Sequence, residues 1–98
     1  MNAELLIRPK AETDLAEAFR WYEDRGPGLG ERFPLSVEAV IAAIRRYLRA
    51  FAVVRKQVRR VLLRRFPYGV FYFLDGDTVV VLAVFHAKRH PRRWQNRV

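Results

Sequence analysis

Arginine and histidine are the residues through which this chain can do chemistry, and both crowd its C-terminal half. Arg59, Arg60, Arg64 and Arg65 fall in one short run, and Arg89 follows in a basic tail. Each carries a planar fork of donors that can neutralise a phosphate through paired hydrogen bonds. Cutting RNA at a 2′-hydroxyl asks for more: a base for the hydroxyl, an acid for the leaving oxygen and cations around the phosphorane. Candidates for acid and base are few. His86 and His90 ordinarily titrate near neutrality, while Tyr68 and Lys56 would serve only if strongly perturbed. His86 closes an apolar run, at a sheet rim where sites often sit, although a histidine bonded to backbone is the commoner use of such a position. His90 lies among basic residues and ahead of Pro91, which suits a solvated or structural role. The arginine run has a structural reading as well, since charge along an edge strand keeps other strands from pairing with it. Trp94 is better suited to packing its ring over a sheet than to stacking on a base, because base stacking draws on several exposed aromatics. With two histidines and no cysteine the chain is a poor candidate for structural zinc, and no metal or organic cofactor is implied.

These groups must be positioned by 98 residues, enough for a single domain with one core, here read as residues 1–98. A hydrophobic share of 51% argues against disorder. No apolar run approaches the roughly 20 residues of a membrane span, and the N-terminus lacks a signal-peptide pattern. The absence of cysteine fits a reducing cytoplasm. The net charge of +9 is the outlier. Glu12, Asp14, Glu17, Glu23, Asp24, Glu31 and Glu38 all belong to the first half, so one face should be strongly positive and attract a polyanion or an acidic protein.

Periodicity sets out the elements. Glu4–Arg8 reads as a strand that stops at Pro9, which suits the first turn of a following helix. Leu15, Phe19 and Tyr22 then recur at helical spacing until Gly26-Pro27-Gly28 ends the run. A second helix is expected from about Leu29 to Ala50, with Phe33, Val37, Val40, Ile41, Ile44 and Leu48 on one face. The segment from Phe51 to Gln57 reads equally as helix extension or loop. Val58–Arg65 alternates imperfectly and reads as an edge strand guarded by charge. Phe71–Leu74 and Thr78–Leu82 flank Asp75-Gly76-Asp77, the signature of a tight hairpin. Val79–Phe85 is apolar throughout, as a central strand covered on both faces would be. The sum is an α+β fold: an N-terminal strand, then an antiparallel helical hairpin packed on a mostly antiparallel sheet, in the order β-α-α-β-β-β.

In this order the chain resembles the RelE/ParE superfamily of bacterial type II toxins. The pieces that carry the resemblance are the strand before Pro9, Ala11-x-x-Asp14-Leu15, Leu29-Gly30-x-Arg32-Phe33, Val58-Arg59-Arg60, Phe66-Pro67-Tyr68 and the ending His86-x-x-Arg89-His90-Pro91-x-x-Trp94-x-x-Arg97. The chain departs from its relatives between Arg49 and Gln57, which lacks their proline-bearing turn and the glycine before the Val-Arg-Arg strand. The resemblance implies the toxin of a toxin–antitoxin pair of the plasmid-stabilisation type, forming a hetero-oligomer with a cognate antitoxin. The Phe-Pro-Tyr junction and the ending look ParE-like, which implies growth arrest through binding of DNA gyrase with no hydrolytic step. The alternative is a RelE-like endoribonuclease acting on mRNA in the ribosome, with Arg60, His86 and Arg89 around the scissile phosphate. Arg59, Arg60, Arg64, Arg65, Arg89, Trp94 and Arg97 are the residues expected to meet a target or the antitoxin.

Overall fold

The computed structural model describes residues 3–88 and 93–97, with side chains from Gln95 onward in the second stretch. The elements are β1 (Leu5–Ile7), α1 (Pro9–Glu23), α2 (Leu29–Arg46), β2 (Val53–Arg55), β3 (Val58–Leu62), β4 (Tyr68–Asp75), β5 (Thr78–His86) and a terminal 3-10 turn (Arg93–Arg97). They form one five-stranded sheet in the order β1-β5-β4-β3-β2, with β1 parallel to β5 and every other pair antiparallel. The helical hairpin leads from β1 into β2 at the far edge of the sheet, and β3, β4 and β5 bring the chain back beside β1. None of the described helices is long and apolar enough to cross a membrane.

The local chemistry explains where the elements begin and end. Arg8 precedes a proline, is held extended (ψ 151°), and so hands the chain from β1 directly into α1. Between the helices Gly28 takes φ +87°, a conformation open to glycine at little cost. The carboxylate of Glu23 accepts the N–H groups of Gly28 and Gly30 at 3.0–3.1 Å, which satisfies the start of α2 in place of a conventional cap. Gly30 also permits the close approach of the two helices, since a Cβ there would stand 2.8 Å from the Phe19 carbonyl oxygen.

Three expectations are corrected between Arg46 and Arg65. The second helix stops at Arg46 and not Ala50, because Tyr47 leaves helical geometry (φ −128°, ψ 62°). The freed carbonyls beyond it are claimed by side chains from the sheet. Tyr72 donates its hydroxyl to Leu48 at 2.9 Å, and Arg59 donates to Arg49 at 3.1 Å and Phe51 at 2.6 Å. The segment left open in the sequence reading then supplies a fifth strand, β2, turning into β3 through Lys56 at φ +51°. β3 is therefore not the sheet edge, and it ends at Leu62, so Arg64 and Arg65 lie beyond the strand. No glycine or proline announced this hairpin, and that is why its turn was illegible.

β5 is central, as its apolar run implied, and buried from Val79 to Phe85. Its register with β4 slips once: Phe71 faces Ala83 while Tyr72 faces Val81, leaving Leu82 as the extra residue of a bulge. The core on the helical face joins Phe33, Ile44, Val70, Tyr72, Val79, Val81 and Val84. A smaller cluster on the opposite, outer face joins Val58, Phe71, Leu82, Ala83 and Phe85.

Tyr72 gives this core a pH signature. Burial raises its phenol above the usual 10.0, with the charge of Arg59 pulling the other way. Above pH ~10 the unfolded chain loses this proton while the folded one keeps it, so this contribution to stability is complete below that pH and lost as pH rises towards the folded value. Tyr72→Phe is expected to flatten the alkaline fall and to cost about 1 kcal/mol at pH 7 for the bond to Leu48. Urea midpoints of the two proteins from pH 7 to 11 check both parts.

Candidate functional site

The alternation of β3 and the turn after it send the arginines to different places. Arg59 points to the helical face and is engaged by the carbonyls of Arg49 and Phe51, where it pins the turn after α2. Arg60 points to the outer face and is exposed, with its stem lying beside Gly69. Arg64 and Arg65 stand past the strand, exposed. Arg97 turns inward. Its guanidinium grips Asp14 with both nitrogens, at 2.6 and 3.1 Å, and also donates to the Leu82 carbonyl at 3.1 Å. Arg89 lies outside the described residues, as do His90, Pro91 and the side chain of Trp94.

In the sequence Asp14 stands out only as one of the acidic residues of the first half and as part of Ala11-x-x-Asp14-Leu15. It is the buried charged residue of the described core, and its Oδ2 also accepts the Val84 N–H at 2.9 Å. The reason lies in the sheet: β1 accompanies β5 only from Val79 to Val81, and beyond that the β5 edge is open. Asp14 and Arg97 take the backbone groups of Val84 and Leu82 that a longer β1 would have paired. Arg8 in turn donates to the Arg97 carbonyl at 3.1 Å and holds the terminal turn against the start of α1. A sequence signal for Asp14 existed: it shares the buried stripe of Ala11 and Ala18, where a carboxylate must have a partner.

His86 sits at the end of β5 and lines a cleft of about 520 Å3 with Lys10, Asp14, Trp21 and Tyr68. Its Nδ1 accepts the Lys88 N–H at 3.1 Å, and its ring meets Tyr68 edge-on at 5.3 Å. His86 pairs with Tyr68, which belongs to the helical-face core, whereas Arg60 pairs with Phe71 of the outer cluster. The two candidates for phosphate chemistry therefore occupy opposite faces of the sheet.

A second concavity, of about 720 Å3, runs between α2 and the end of β3. Its apolar lining comes from Leu29, Leu35, Ala39, Ala43, Phe51, Val61, Leu62 and Phe66, with Arg32, Arg64 and Arg65 on its rim. Leu35 and Leu62 are 65% and 53% exposed, so this surface is apolar and unfilled. β2 pairs only with Val58 and Arg59, which leaves the β3 edge beside the groove open after Ala52 accepts the Arg60 N–H. No lining residue is acidic, and the three rim arginines form no ion pair among the described residues. The sequence pointed to Arg64 and Arg65 of this rim but not to Arg32, and its apolar floor went unread because Leu35, Ala39 and Ala43 fall outside the core-facing stripe of α2.

Comparisons with known proteins follow the same lines. The family described as the ParE toxin of type II toxin–antitoxin system, parDE, matches residues 5–91. Toxin ParE2 of Mycobacterium tuberculosis is 36% identical over 92 residues, spanning 93% of this chain and 88% of that protein. Among solved structures, the chromosomal ParDE system of P. aeruginosa superposes with a TM-score of 0.63 at 17% identity, over 86% of this chain and 95% of that one. The RelBE2 toxin–antitoxin complex of M. tuberculosis gives 0.60 at 23% identity, over 88% and 92%. A mutant of E. coli toxin RelE in the free state gives 0.60 at 15% identity, over 99% and 94%. At these identities the structural likenesses speak to the fold.

Proposed function

The chain belongs to the ParE toxin family of type II toxin–antitoxin systems, and from that premise we propose that it arrests growth by binding DNA gyrase and is held inactive by a cognate antitoxin. The observation that supports binding over RNA cleavage is that Arg60 and His86 lie on opposite faces of the sheet. Cleavage would need His86 within reach of the hydroxyl or the leaving oxygen while Arg60 reaches the same phosphate. A binding inhibitor needs only a complementary surface with a few anchors.

The antitoxin's seat in this reading is the groove between α2 and β3. Its floor offers apolar area, and its rim offers three cations with no ion pair among the described residues, a combination that fits an amphipathic segment carrying acidic flanks. A second copy of this chain suits it poorly, since a molecule of net charge +9 would bring more positive charge to a positive rim.

The deciding experiment is a brief induction of the toxin without antitoxin, with mRNA 5′ ends mapped and gyrase supercoiling assayed with the purified protein. Growth arrest with intact mRNA and inhibited supercoiling is the expected result. New 5′ ends inside translated codons would replace this reading with the ribosome-dependent one.

A further inference from the structure

Gly69 is the second residue of β4, yet it is paired on both sides, with Leu62 and with Phe85. A position paired on both sides is a costly place for glycine, which gives up more backbone freedom on folding than other residues and offers no side chain to the packing. Its backbone does not ask for glycine either, since among the described residues the positive φ angles at glycine belong to Gly28 and Gly76. What Gly69 supplies is room. A Cβ there would lie 3.2 Å from both Cγ and Cδ of Arg60 and 3.4 Å from Cδ2 of Leu62. Arg60 is opposite Phe71, so its stem runs diagonally across the outer face into the notch above Gly69. The alkyl stem covers the sheet while the guanidinium stays in water. No hydrogen bond or ion pair engages that guanidinium among the described residues.

Resting on the target-binding reading above, we propose that Gly69 is a positioning residue that seats Arg60 so that its guanidinium meets a carboxylate on the surface of the toxin's protein target. An exposed arginine loses much side-chain freedom when it binds, and a stem already laid in a notch has less to lose. The neighbourhood favours protein over nucleic acid. Leu62 stands on the same face, 53% exposed, and an arginine beside an apolar residue is the composition of a protein interface. Single-stranded nucleic acid would instead ask for exposed aromatic platforms beside the cation.

A double-mutant cycle of Gly69→Ala and Arg60→Ala tests this, read by the toxin concentration that half-inhibits gyrase supercoiling and by growth arrest on induction. Gly69→Ala is expected to raise the half-inhibitory concentration about tenfold, the scale of one weakened charge-assisted hydrogen bond. In the Arg60→Ala background the same change should add less than about twofold, because the residue it acts through is gone. The thermal midpoint and antitoxin affinity of Gly69→Ala should be unchanged or higher. An equal effect of Gly69→Ala in both backgrounds, or a loss of stability together with antitoxin binding, would overturn the proposal in favour of simple packing. Coupling seen in growth arrest with supercoiling untouched would uphold the role of Gly69 and remove gyrase as the target. A parent chain that neither arrests growth nor inhibits gyrase would overturn both.

Discussion

Asp14→Ala is expected to lower the unfolding free energy of the isolated toxin by about 3–5 kcal/mol, the cost of leaving one member of a buried ion pair without the other. Asp14 is buried, and the Arg97 side chain is 15% exposed, so water replaces the lost carboxylate only in part. The substitution also strips the Val84 N–H of its acceptor beside the open edge of β5. Against a total stability of about 5–15 kcal/mol for a domain of this kind, that is a large fraction. Asp14→Asn should cost less, because its amide oxygen can still accept the Val84 N–H while the charge on Arg97 goes uncompensated. The paired change Asp14→Leu with Arg97→Met should recover much of the loss, since hydrophobic replacements of buried ion pairs are often neutral. Urea unfolding of the free toxin ranks the three. If Asp14→Ala moved the midpoint no more than an exposed control such as Glu12→Ala, the ion pair would be worth little and the edge-sealing account would fail. Antitoxin must be absent, because a ligand of the folded state masks the deficit by mass action.

The same pair marks where the sequence could and could not be read. The apolar blocks were legible because each obeys one period: Val79–Phe85 announced a central strand, and Phe33, Val37, Ile41 and Ile44 announced the buried face of α2. The β2–β3 hairpin was not, because Lys56 adopts a positive φ that asparagine or glycine would have signalled. Arg97 was read as a surface cation. Its partner is 83 residues away, and nothing local says that α1 will lie against the uncovered half of β5. Arg59 shows the same limit, since its partners are carbonyls exposed only because α2 ends four residues before the expected position. Of the arginine run, the exposed members with no ion pair among the described residues are Arg60, which alternation turns to the outer face, and Arg64 and Arg65, which lie past the end of the strand on the rim of the groove. Local pattern fixes the elements, and the long-range pairs decide which charges remain for a partner.

Reversing Arg64 and Arg65 together to Glu is expected to weaken the complex with the cognate antitoxin by about 2–3 kcal/mol, roughly 30- to 150-fold in Kd. Exposed ion pairs contribute only about 0.2–1 kcal/mol each when removed, but reversal replaces attraction with repulsion at both positions. The loss should appear mainly as slower association, and it should shrink as salt rises, since rim charges steer encounter and are screened within about 10 Å at 0.1 M. Leu35→Ser probes the floor of the same groove with the opposite kinetic signature. Leu35 is 65% exposed in the free chain, so the fold should tolerate its loss, whereas covering it in the complex is worth about 1.5–3 kcal/mol. That loss should appear as faster dissociation and be insensitive to salt. Surface-based binding kinetics at two ionic strengths separate the two effects, and co-expression with antitoxin gives the cellular counterpart: both variants should arrest growth where the parent chain is neutralised. If both bound antitoxin like the parent, the groove between α2 and β3 would not be its seat, however well its charge and shape suit an acidic amphipathic segment.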